Sequence, residues 1–176
     1  MRRGGGDGAA RRWHDDWQTA VEALDESAPA RLEAQLSSGA FGPDTEVEEE
    51  MLQALRDVLA LARDLAASRL PRVETTHRVA AGEPCHFLAP VSMPDDPAQP
   101  TGRLLLTSSR AVFAGGSRAP AVAWHAAREV LRAGRDLVLV RAAGDEGYRF
   151  RCNSYSDAVC GAAIARHLMR VARRHL

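Results

Sequence analysis

The spacing of apolar residues changes character once along this chain, near Pro71. Before that point, apolar positions recur every three or four residues, the period of helices that bury one face. Trp13, Trp17, Ala20, Val21 and Leu24 fall at i, i+4, i+7, i+8 and i+11 and predict a helix over about 11–27. Pro29 stops that helix or starts a shorter one over 30–37, with Leu32 and Leu36 on one side and Gly39 and Gly42 past its end. Val47, Met51, Leu55, Val58, Ala62 and Leu65 predict a third helix over 44–70, and Leu52, Leu59 and Ala66 widen its stripe enough for two packing neighbours. Thr45 and Glu48 have the spacing of a capping box. Glu46, Glu48, Glu49 and Glu50 suit the positive end of the helix dipole, and Arg69 suits the negative end. Such a helix of about 25 residues is roughly 38 Å long, more than a small barrel covers.

After Pro71 the period falls to two. Val73–Val79 alternates and reads as an extra strand or a leader. Seven strands follow: Cys85–Val91, Gly102–Thr107, Ala111–Gly115, Ala121–Trp124, Val130–Ala133, Leu137–Ala142 and Tyr148–Cys152. Turn residues separate them at 80–84, 108–110, 115–120, 134–136 and 143–147, and the proline-rich segment 93–101 reads as a loop. Ser154–Leu176 reads as one helix, opened by Ser154 with Asp157 three residues on and striped by Cys160, Ile164, Leu168 and Val171. Gly161 lets it sit close to a sheet. The prediction is an α+β chain with a disordered tail over 1–10, a three-helix segment over 11–70, and a seven-stranded antiparallel barrel or sandwich over 72–176 capped by a helix.

Charge sharpens this division. The net charge is zero, yet residues 1–70 hold eight arginines against fourteen acids, net −6, and residues 71–176 hold fifteen against nine, net +6. Two parts that attract each other follow from that split, or a basic module that prefers an acidic partner. All 23 basic residues are arginine, which points to the coding bias of a GC-rich bacterial genome. No apolar run reaches the ~18 residues of a membrane span, and the N-terminal arginines lack the apolar stretch of a signal peptide. Cys85, Cys152 and Cys160 form no CxxC pair, which fits a reducing cytoplasm.

Candidate chemistry is sparse. Cys85 and His86 are neighbours, but adjacent strand residues face opposite ways, so they do not make a nucleophile and base. His77, Cys85, His86 and His125 match no zinc spacing. Ser108 and Ser109 lack a nucleophile elbow, and Gly4–Gly8 lacks the Gly-Lys-Ser of a phosphate loop. No catalytic residue, metal or cofactor is expected. Arg141, Arg149 and Arg151 can form a basic stripe on one sheet face, without the exposed aromatics that nucleic-acid binding needs. Trp13 and Trp17 either pack against the long helix or anchor a partner or a membrane interface.

The segment GRLLLTSSRAVFAGG (Gly102–Gly116), followed by Trp124, the Val130 strand, the Gly134–Asp136 turn and the Tyr148–Cys152 strand, resembles GRAM-type and bacterial members of the PH-like superfamily over about residues 83–175. The resemblance implies a seven-stranded barrel with a C-terminal helix that binds lipid head groups, peptides or proteins without catalytic residues. Lipid-binding members carry basic residues in the loop joining the first two strands. Here that loop contains Asp95 and Asp96 and no arginine, with Arg103 just beyond it. The expected function is therefore a non-enzymatic bacterial interaction module for a protein or peptide partner. Candidate contacts are Arg103, Arg141, Arg149, Arg151, Trp13 and Trp17. A membrane-surface protein and a Cys- or metal-dependent hydrolase are the competing classes. The long helix is expected to pair in a homodimer through 44–70 or to dock on the chain's own barrel.

Overall fold

The computed structural model describes residues 6–38, 41, 44–78, 82–115, 120–142 and 147–174. The expected helix stops at Gly39 and Gly42, Val79, and the turn positions 80–81, 116–119 and 143–146 lie outside them. Helix α1 is Gly6–Ala23, α2 is Ala28–Ser37 and α3 is Glu46–Ala66. Residues 6–10, expected in the tail, are thus the first turns of α1. Both α1 and α3 stop four residues earlier than their periodicity suggested. The reason is the same at each end. Leu24 and Ser68 take left-handed backbone angles, φ 51° and 58°. The next amide then folds back, Asp25 to the Ala20 carbonyl at 3.0 Å and Arg69 to the Asp64 carbonyl at 2.8 Å. These are Schellman closures built without glycine. At 21 residues, α3 is about 32 Å long.

The capping box expected at α3 does not form. The Thr45 hydroxyl donates to Glu49 Oε1 at 2.9 Å, while Glu48 lies 9% exposed with its carboxylate 2.9 Å from His14 Nε2. Trp13, Trp17, Leu32, Leu55 and Val58 lead the core of this three-helix layer. Each indole N–H reaches a backbone carbonyl, Trp13 that of Leu32 at 3.0 Å and Trp17 that of Met51 at 2.5 Å. Both tryptophans therefore serve the interior, and neither is placed to anchor a membrane or a partner.

Seven antiparallel strands form one sheet: β1 (Cys85–Ser92), β2 (Thr101–Thr107), β3 (Arg110–Ala114), β4 (Ala121–Ala123), β5 (Ala127–Ala133), β6 (Asp136–Arg141) and β7 (Gly147–Cys152). The order is β4-β3-β2-β1-β7-β6-β5, two meanders joined by a short β1–β7 pairing at Val91–Cys152 and Ser92–Arg151. A 3₁₀ turn, Trp124–Ala126, carries the chain from one meander to the other, with the Trp124 indole buried on the Thr107 carbonyl at 2.8 Å. Gly134 takes the positive φ of 57° that the two-residue β5–β6 turn needs. Alternation put Leu104, Leu106, Phe113, Leu137, Leu139 and Phe150 into one core, and Phe113 stacks on Phe150 with centroids 6.1 Å apart.

Of Val73–Val79, expected as an extra strand or a leader, the described residues 73–78 form no strand. Val73 makes a single bridge to Cys85, its amide donating to the Cys85 carbonyl at 2.8 Å. The segment is a strap, and with Cys85 and Leu105 it buries a small cluster on the outer sheet face. That cover explains why Leu105 is buried as fully as Leu104 and Leu106 on either side.

Helix α4, Tyr155–Arg174, lies between the two parts. Ser154 accepts the Asp157 amide at 3.0 Å, the cap its spacing implied. Ala158, Ala162, Ala165 and Leu168 join the sheet core, while Val159, Cys160 and Ala163 meet the helical core. The apolar face of α3 is thus covered within the chain by α1, α2 and α4, and of its large apolar residues only Val47 stays well exposed. Replacing Ser68 by glycine removes a left-handed side chain that costs on the order of 1 kcal/mol, and urea unfolding is expected to show a gain in stability of about that size.

Candidate interaction groove

The sequence-derived arginines do not form one open basic stripe. Arg149 and Arg151 lie opposite Val138 and Asp136, on the outer face, while Arg141 has the parity of Leu137 and Leu139, on the other. Arg151 is held by Asp136 at 2.8 and 3.1 Å, and Arg149 by Asp95 at 2.6 Å. Asp95 belongs to the β1–β2 loop, so that loop brings a carboxylate onto the stripe. Arg103 is exposed on β2, opposite Pro90 and Ala114.

The cysteines are not poised for chemistry. Burial pushes the Cys152 and Cys160 thiols up to about 12, and burial raises Cys85 as well. Among the described residues, no three His, Cys, Asp or Glu side chains are grouped to hold a metal.

One contact was not legible from spacing. His86, 8% exposed, places Nδ1 2.6 Å from the Pro71 carbonyl and Nε2 2.8 Å from Ser108 Oγ. A carbonyl only accepts, so in the neutral ring Nδ1 carries the proton and Nε2 accepts from the serine. That is the polarity of a serine–histidine dyad. The surrounding amides are already used: Ser108 N–H donates to Pro84, and those of Ser109 and Arg110 to Thr107 Oγ1. They leave no amide for a developing oxyanion at this turn. The contact ties the strap to the β2–β3 turn.

A groove of about 850 Å³ lies where the ends of α1 and α3 meet α4 and the edge strand β5. Leu24 and Ser68, the two left-handed caps, both line it. Four large hydrophobic residues are exposed among the described ones, and three of them, Leu24, Leu131 and Val171, line this groove. Its inner wall is fixed by Arg132, whose side chain is 1% exposed. The guanidinium sits 5.1 Å over the Trp17 ring and donates to Gln18 at 2.7 Å, Glu22 at 3.3 Å and the Gly134 carbonyl at 3.2 Å. Arg166 of α4 reaches the same Glu22 at 3.5 Å. Arg166 also donates to the Val130 carbonyl at 3.1 Å, and Arg173 donates to the carbonyls of Ala127 and Arg128 at 3.2 and 2.6 Å. His167, at the groove, has its pKa lowered by burial and then by Arg170 and Arg174.

No family model matches the chain, and no curated protein does. Among solved structures, a C-terminal domain of an unknown protein from Leishmania infantum is similar, at 10% identity over 52% of this chain and 89% of that chain, with a TM-score of 0.44.

The raised thiols make a pH prediction. Cys152 and Cys160 ionise near 9 when unfolded and near 12 when folded. Their contribution is fully present below 9 and is lost as pH rises through that window, because the unfolded chain has released protons that the folded chain keeps. Chemical denaturation is expected to show stability falling above pH 9, and Cys152→Ala is expected to reduce the slope by about one proton, ~1.4 kcal/mol per pH unit.

Proposed function

We propose that this chain is a non-enzymatic bacterial interaction module of the PH-like superfamily, working in the cytoplasm, and that it binds a protein or peptide partner in the groove between α1, α3, α4 and β5. The order of elements supports the superfamily: two antiparallel meanders, then one helix across them. The observation that carries the binding site is the gathering at one concavity of Leu24, Leu131 and Val171, three of the four large hydrophobic side chains exposed among the described residues. Exposed apolar side chains collected at one place mark an interface, whereas scattered ones do not.

The membrane-surface reading has less support. The β1–β2 loop presents Asp95 against Arg149, which opposes an anionic surface there. No helix among the described residues is long and apolar enough to cross a membrane. A dimer through residues 44–70 has little remaining apolar surface, since α3 is covered within the chain.

Benzoylphenylalanine placed at Leu131 and irradiated in the native cells is expected to yield a discrete protein adduct, absent when the probe sits at Arg103. Flotation of the chain with anionic vesicles, with no adduct from position 131, would overturn the reading.

A further inference from the structure

The groove can be entered in two ways. A partner strand can extend the sheet at the free edge of β5, or a helix can lie along the groove with its apolar face down. Strand addition needs outward carbonyls that are unpaired. At β5 three carbonyls are taken. Arg166 holds the Val130 carbonyl, and Arg173 holds those of Ala127 and Arg128, so two arginines of α4 block the edge from Ala127 to Val130. A partner strand would have to displace both.

The remaining recognition elements are apolar side chains and charge. Leu131 on β5, Val171 on α4 and Leu24 after α1 stand 43%, 37% and 43% exposed. Such separated anchors suit residues repeated every three or four positions on a helix. The charge around them is unbalanced. Glu22 already serves Arg132 and Arg166. Arg170 and Arg174, both exposed, stand at the C-terminal end of the groove, where the acids of the helical layer do not reach them. Glu129 is the one other acid in the lining.

We infer that the occupant of this groove is an acidic amphipathic helix of a partner protein, with aliphatic residues set on Leu24, Leu131 and Val171 and carboxylates facing Arg170 and Arg174. This rests on the groove being the binding site. It goes further by excluding an added strand and by giving the partner a sign of charge. Complementary charge of this kind sets specificity and on-rate more than affinity, so binding should weaken as salt rises.

The test is selection of random displayed 16-residue peptides on the full chain, followed by titration of the enriched peptides against three proteins. These are the unaltered chain, Arg170→Glu with Arg174→Glu, and Leu131→Asp with Val171→Asp. Each variant is first checked for native circular dichroism and cooperative unfolding. The expected result is enrichment of net-negative peptides with aliphatic residues at i, i+3/i+4 and i+7 that become helical on binding. Binding should fall at least about tenfold with the arginine pair reversed and be lost with the apolar pair replaced, since a factor of ten is ~1.4 kcal/mol. Enriched peptides that are neutral or basic, that bind as extended chains, or that ignore the arginine reversal overturn the inference while leaving the groove in place. Peptides that bind the apolar-pair variant unchanged overturn the groove itself. No enrichment above background counts against both.

Discussion

Everything in this chain is organised by the close approach of α4 to two cores at once. A helix that must bury opposite faces cannot carry bulk on both. Here Ala158, Ala162 and Ala165 alternate with Ile164, Leu168 and Met169 on the side that joins the sheet core, and the side towards α3 offers Val159, Cys160 and Ala163. Gly161 marks the tightest point. A Cβ there would stand 3.0 Å from the Phe87 ring, so the ring and the helix backbone are nearly in contact. Small residues bring both neighbours close, and dispersion falls steeply with separation. The three-helix layer and the sheet therefore share α4 as a common wall, which makes the helices part of the fold rather than an appendage.

Opposite charge aligns the two parts on that wall. Glu50 of α3 accepts the Tyr155 amide at 2.9 Å and pairs with Arg135 at 2.5 Å, while Arg135 also stands 4.6 Å over the Tyr155 ring. Asp57 accepts from Ser156 at 2.6 Å. Two acids of α3 thus meet the N-terminal turn of α4, where the helix dipole favours negative charge. Arg132 does the same work at the other contact, between Trp17, Gln18 and Glu22. A cation this buried contributes little net stability, because desolvation opposes the attraction, but it tolerates few alternative arrangements. The −6 and +6 halves are therefore an orientation device. Arg170 and Arg174 lie beyond its reach, and the charge they leave over is what gives the groove its sign.

Periodicity carried most of the architecture. Trp13 and Trp17 with Leu32 and Leu55, the alternation of Leu137 and Leu139, and the Ser154 cap all appear where their spacing put them. What differed has a separate physical cause at each place. The segment from Val73 alternates as a strand does, but a ladder needs successive partners, and among its described residues only Val73 has one, Cys85. The ends of α1 and α3 were misjudged because their left-handed caps are Leu24 and Ser68, where glycine would have been the signal. The groove could not be read at all. It is made from residues up to 153 positions apart, and Leu24, Leu131 and Val171 become conspicuous only when burial leaves them and Val47 as the large apolar side chains exposed among the described residues. The arginines of the outer face were visible in the sequence, but the acids that neutralise them, Asp95 and Asp136, lie on different strands and loops.

Native-state hydrogen exchange tests the shared wall most directly. If α4 joins the two cores, the slowest amides of α3, α4 and the central strands β1 and β2 open together, with one free energy and one denaturant dependence equal to those of global unfolding. Exchange of α1–α3 through a separate, lower-energy opening that leaves α4 and the sheet protected would contradict it.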